Sequence, residues 1–335
     1  MAKKKRIGFI GCGQWGPNHI RTFFFNPGTQ VVRICDTNPA RLKAIQPLYP
    51  GVQSTRDWRE ITRAKDLDAV VVATPVSSHF EIASDALEHG KDVLCEKPLT
   101  LKTFEAEALT QLADRRKRIL MVGHVFLFNQ GILKLKELLD QKTVGRNYYF
   151  HAKRTNLGPV RRDANAVYDL ASHDISIFNF LMGAEPTVLS AVGKCYLQKG
   201  VEDVSFVSLE YPGGVLAHVH VSWLDPLKVR QITVVGSEKM ITWDDLSQTA
   251  AVGIYSKRVQ ADEKFYRDFG EFNLLVKDGE VLIPSIKHVE PLKQQADHFV
   301  ECIVKRRRPV SDGRFAAGVV RTLETIEGLL DASRR

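Results

Sequence analysis

Three side chains in this sequence have the type and the setting for proton chemistry. Lys97 lies in Cys95-Glu96-Lys97-Pro98, directly after a short apolar run. A lysine leaving a strand end can hold a hydroxyl by a charged hydrogen bond, or shuttle its proton. The same residues would also suit a salt bridge between neighbours at a strand end. Asp169 and His173 stand four apart in Asp169-Leu170-Ala171-Ser172-His173-Asp174, a spacing that puts both on one face of a helix. An imidazole can take a proton near neutrality, and an aspartate one turn away can orient it. A helix start carrying acids for capping, with a neutral histidine in the core, would read the same way.

A second constellation points to a dinucleotide. Gly11-Cys12-Gly13-Gln14-Trp15-Gly16 fits G-x-G-x-x-G, follows an apolar run and precedes a helical stretch. There, backbone N–H groups and the helix dipole favour a pyrophosphate. Gly11 permits the tight turn, Gly13 the approach of phosphates, and Gly16 close packing of helix on strand. Asp36 ends the second apolar run, about twenty residues on, where a carboxylate accepts hydrogen bonds from ribose hydroxyls and repels a 2′-phosphate. NAD is therefore expected over NADP, with Arg41 the one residue nearby that could reach a phosphate. Thr74 and Pro75, with His79 on the following helix, and Glu96 with Lys97 lie at strand ends, where open α/β sheets bind ligands.

The elements that must carry these residues alternate over the first 123 positions. Strands are expected at 6–10, 30–35, 69–73, 92–95 and 119–122, with helices at 18–25, 39–48, 78–88 and 103–116. Alternation of this kind implies βαβ units and a doubly wound parallel sheet. The run AVVVA at 69–73 is apolar on both faces, as a central parallel strand should be. After Gly123 the pattern changes. Helices are expected at 131–139 and 168–181, and a strand around 148–153. Successive strands over 187–243 are separated by glycine turns and imply an antiparallel sheet. Two helices close the chain, at 292–305 and 315–332, while 245–290 holds only loops and short strands. The expected division is a Rossmann domain at 1–123 and an α+β domain with an open, mainly antiparallel sheet at 124–335.

Composition narrows the class. The 335 residues are 44% hydrophobic and 26% charged, which fits a globular protein and excludes a disordered or collagen-like chain. The formal charge of +8 sits in three short runs, at 3–6, 305–308 and 334–335. Without those ten residues, 37 basic side chains face 39 acidic ones. No basic stripe suited to nucleic acid follows from that. Five cysteines without a C-x-x-C pair argue against a disulfide framework or structural zinc, no metal is expected, and a reducing, cytoplasmic setting is expected. No run approaches the length of a membrane span.

Gly11 to Gly16, Asp36, Glu96-Lys97-Pro98 and the Asp169/His173 pair together resemble the glucose–fructose oxidoreductase / inositol dehydrogenase (Gfo/Idh/MocA) family, over essentially the whole chain. The closing segment resembles it too, with Arg308-Pro309 and Asp312-Gly313. The resemblance implies a Rossmann domain, a C-terminal sheet that mediates a homodimer or homotetramer, and a cis peptide before Pro98. It implies that Lys97 and His173 flank a substrate with Asp169 in support. The implied reaction is reversible oxidation of a secondary alcohol on a sugar-like ring, with either His173 or Lys97 as base.

The stretch 151–174 bears on the substrate. Arg154, Asn156, Arg161, Arg162 and Asn165 precede the Asp/His pair. Guanidinium groups pair bidentately with phosphate or carboxylate, so an anionic substrate is expected. Within the family this stretch resembles members acting at the 3-position of nucleotide-linked amino-sugars. Solvated loop charges would look alike, and other readings stay open: a free polyol or aldose dehydrogenase, a lyase or glycosidase working through transient 3-oxidation, or a non-catalytic NAD or sugar sensor.

Overall fold

The computed structural model describes residues 4–158, 160–161, 164–256, 258–261, 274–277 and 279–334. Its first part runs β1 (Lys5–Ile10), α1 (Gly16–Phe24), β2 (Thr29–Cys35), α2 (Pro39–Ile45), β3 (Gln53–Thr55), α3 (Arg59–Thr62), β4 (Ala69–Val72), α4 (His79–Glu88), β5 (Asp92–Cys95), α5 (Thr103–Arg116) and β6 (Leu120–Val122). The six strands are all parallel, in the order β3-β2-β1-β4-β5-β6. This is the Rossmann order, with its switch point between β1 and β4. Every residue of β4 is buried, as a strand apolar on both faces requires. The edge strand β3 and the one-turn α3 were not expected, because three or four residues carry no periodicity.

The second part runs α6 (Gln130–Asp140), β7 (Asn147–Leu157), a π-turn (Val167–Ala171), α7 (Ser172–Met182), β8 (Thr187–Lys194), β9 (Val204–Tyr211), β10 (Val215–Ser222), β11 (Leu224–Gly236), β12 (Met240–Asp244), β13 (Val252–Tyr255), β14 (Arg258–Ala261), β15 (Leu274–Lys277) and β16 (Val281–Leu282). Eight strands form one sheet in the order β16-β13-β12-β11-β7-β10-β9-β8. Its pairs are antiparallel except β7 with β10. Strand alternation gives it two faces. Phe150, Ala152, Val219, Val221, Ile232 and Val234 are buried on one, while Tyr149, Phe206 and Leu216 on the other are exposed.

The expected boundary at 123/124 requires correction. The chain divides into one unit of 1–128 with 289–324, and a second of 129–288 with 325–335. Helices α8 (Pro291–Lys305) and α9 (Gly313–Arg334) follow the second sheet in sequence, but α8 and most of α9 pack with the first. Phe299 is buried edge-on against Phe23, which meets Phe9 of β1 in turn. Ala316, Ala317 and Val320 enter the same core as β4, β5 and β6. Ser311 continues the pairing of β6: its carbonyl accepts from Val122 N and its hydroxyl donates to Val122 O. Arg306 forks onto Asp92 at the start of β5.

Candidate active site

The glycine turn after β1 is built for close backbone approach. Gly11 has φ +99°, and a Cβ there would lie 2.4 Å from the Ala73 carbonyl oxygen. A Cβ on Gly16 would lie 2.0 Å from the Gly11 carbonyl oxygen. Gly13 differs, since a Cβ there would meet only the Arg41 guanidinium, at 3.7 Å. Gly13 thus leaves open the space that a pyrophosphate takes at a helix N-terminus, and Gln14 and Trp15 beside it are exposed. Asp36 accepts from Cys12 N and Asn38 N, both at 2.8 Å, and from Arg41 at 3.4 Å. Its carboxylate is thereby tied to the turn it is expected to serve. These residues fit a dinucleotide.

The ends of β4 and β5 lie next to this turn through their pairing with β1 and with each other. Thr74 and Pro75 follow β4, and the Thr74 hydroxyl accepts from Ser78. His79 was expected to touch the cofactor. It is instead buried, with Nδ1 3.0 Å from the Pro98 carbonyl and Nε2 2.9 Å from the Thr74 carbonyl. Burial pushes its pKa down against the two carbonyls and Glu96, which push it up. Its work is to tie two strand-end loops together. The Lys97–Pro98 peptide is cis.

Glu96 is held through both of its oxygens. Its Oε1 accepts from His19 Nε2 at 2.6 Å, and its Oε2 from Lys97 N at 3.2 Å. The carboxylate lies against Gly123, where a Cβ would come within 3.0 Å of it. Burial raises its pKa, but His19 and Lys97 outweigh this and hold it below the usual value. His124, next along the chain, is buried with its edge towards Phe315. Burial first and Lys97 second push its pKa down to about 3. His19 escaped the sequence reading; its only sign was its place three residues after Gly16, on the face of α1 turned to the core.

In the second unit, Asp169 lies in the π-turn and His173 opens α7. One continuous helix was expected; the wider turn changes the register between the two residues, as π-bulges do near functional sites. Asp169 accepts from Arg161 Nη1 at 3.1 Å and from Trp223 Nε1 at 3.2 Å. Trp223 was missed, because it lies 54 residues away in sequence. His173 and Asn156 are half-buried.

Two expected substrate residues need correction. Arg154 is buried and clasps Asp174 with three hydrogen bonds of 2.8–3.1 Å, anchoring the first turn of α7 to β7. Asn165 is also buried. Its Oδ1 accepts from Tyr168 N, and its Nδ2 donates to Glu202 and Glu327. Both side chains build the second unit rather than face a ligand. Arg161 is partly exposed, and Arg162 lies outside the described residues.

A parallel sheet in Rossmann order, a glycine turn closed by backbone and a tied carboxylate after β2 define the dinucleotide-binding class of α/β domain. The chain belongs to the GFO/IDH/MocA oxidoreductase family. Residues 5–124 match its NAD-binding Rossmann fold and residues 132–242 its C-terminal domain. NAD is accordingly the cofactor of the first unit. Inositol 2-dehydrogenase 2 of Saccharopolyspora erythraea is 32% identical over 225 residues, which are 64% of this chain and 66% of that protein. The chain thus spans about two thirds of the length of that relative. UDP-N-acetylglucosamine 3-dehydrogenase of Acidithiobacillus ferrooxidans superposes with a TM-score of 0.82 at 24% identity, covering 98% of this chain and 99% of that one. An oxidoreductase of Agrobacterium radiobacter, in complex with NAD+, L-tartaric acid and magnesium, superposes with a TM-score of 0.82 at 19% identity, covering 99% and 98%.

Proposed function

We propose that this protein is an NAD-dependent dehydrogenase that oxidises, or reversibly reduces, a secondary hydroxyl on a sugar-like ring. The observation that carries this reading is the setting of Lys97. It leaves β5 at the carboxyl edge of the sheet that holds the glycine turn, and Glu96 and His79 brace its segment on either side. NAD supplies the hydride acceptor when bound. His173 takes the hydroxyl proton, Lys97 stays protonated and stabilises charge developing on oxygen, and Asp169 supports them. A Lys97→Ala variant should lose turnover by at least about a hundredfold yet keep NAD binding, read by calorimetry beside steady-state rates. Unchanged turnover would favour a sensor.

For the substrate we propose the 3-position of a nucleotide-linked amino-sugar. Arg161, partly exposed and beside Asp169, supports it as a guanidinium within reach of an anion. A free polyol is the second reading. It is favoured by the enclosure of Arg154, which withdraws one expected anion partner, and by the inositol dehydrogenase relative. A panel of free and nucleotide-linked sugars, followed by NADH absorbance and mass detection of the product, separates the two. Turnover of free inositol with none of nucleotide sugars would overturn the first reading. Self-association through the exposed sheet face that bears Tyr149, Phe206 and Leu216 belongs to the same proposal, and sedimentation tests it.

A further inference from the structure

The reaction proposed above uses Lys97, leaves Glu96 only the bracing of its segment, and gives no part to His19, which binds Glu96. His19 comes from α1, the helix that opens at the glycine turn, and Glu96 from the end of β5, so the pair joins the phosphate end of the cofactor site to its lysine. The ring of His19 is buried, and its Nδ1 has no partner among the described residues, so Glu96 is the one hydrogen-bond partner that holds the ring there. The two oxygens of Glu96 have different partners, and Gly123 closes the third side. A carboxylate held in this way cannot swing.

We propose that His19 is a positioning residue: by donating Nε2–H to Glu96, it keeps that carboxylate fixed beside Lys97 at the nicotinamide end of the cofactor site. This rests on the dehydrogenase reading, because ligands of such sheets lie at the carboxyl ends of the strands. The oxidised nicotinamide ring carries a positive charge and the reduced ring none. A fixed carboxylate close to it favours NAD+ over NADH. The groups facing Glu96 are His19 from α1, His79 from α4, Lys97 on its own segment and His124 after β6. Without the His19 donor, burial dominates and the carboxylate takes up a proton more readily.

The test is calorimetric binding of NAD+ and of NADH to the full chain, without substrate, across neutral pH. In His19→Leu the preference for NAD+ over NADH should fall by about tenfold, and the preference should become pH-dependent. His19→Gln, which keeps a donor of similar reach, should restore most of it. Glu96→Gln should show the same loss, and the double variant no more than either single one. A wild-type preference at every pH in His19→Leu, or additive losses in the double variant, overturns the proposal. If His19→Leu does not fold, Glu96→Gln and His19→Gln decide, and a wild-type preference in Glu96→Gln overturns it. Absence of any NAD binding by the wild-type protein would instead strike the dehydrogenase reading itself.

Discussion

Charge at single residues is managed in this protein by enclosure as much as by pairing. Arg154 and Asp174 are both almost fully buried and satisfy one another. Removing one partner strands a buried charge, which costs about 3–5 kcal/mol. Arg154→Ala should therefore lower the unfolding free energy by about that amount in chemical denaturation, and a small loss would return Arg154 to the ligand-binding candidates. His124 gives a pH dependence with a definite sign. Its folded pKa is about 3 and its ordinary value 6.5, so the unfolded chain takes up the proton first. Its contribution to stability is intact above the ordinary value and erodes as pH falls through the interval below it. At about pH 5 that erosion amounts to about 2 kcal/mol. His124→Asn should narrow the difference in stability between neutral and mildly acidic buffer by a similar amount, and an unchanged difference would contradict this account.

Among the elements, contact between β1 and α1 governs whether a dinucleotide can enter. Gly16 sits where helix and turn meet, and a methyl group there would overlap a backbone carbonyl rather than a side chain that could move aside. Gly16→Ala should thus push α1 away from the turn. NAD+ affinity should fall by at least about tenfold while the helical circular dichroism persists, since the strain is local. Retained affinity would mean that the turn relaxes more cheaply than its geometry allows. The π-turn has a comparable part in the second unit. It points the Asp169 carboxylate at Arg161 and Trp223, and Arg154 then anchors the helix that carries His173.

At the scale of the whole molecule, the return of the chain to its first unit is the dominant feature. Ala316, Ala317 and Val320 complete the core around β4, β5 and β6, and Phe299 packs separately on Phe23 beside β1. Burial of a phenylalanine side chain alone contributes about 1.5–3 kcal/mol. A chain truncated at His288 should consequently lose cooperative thermal unfolding of its Rossmann unit, as well as NAD binding. A sharp calorimetric transition with NAD binding intact would show that the first unit is self-sufficient.

Local periodicity and turn chemistry encode one part of this architecture. The alternation of β4 and its neighbours and the tight turn of the three glycines are matters of near-neighbour sequence, so five of the six parallel strands and the glycine turn were legible. The domain division was not, because the affinity of α8 and α9 for a sheet formed some two hundred residues earlier leaves no mark on their own amphipathic pattern. The burial of Arg154 was hidden for a related reason. A guanidinium in a sequence is equally fit for solvent, a ligand or an internal acid, and only tertiary packing brought Asp174 to Arg154, Trp223 to Asp169 and His19 to Glu96. Local sequence thus determined the elements and the residue types available for chemistry. The folded chain decided which charges were left for a ligand, since burial and long-range partners belong to three dimensions and not to spacing along a chain.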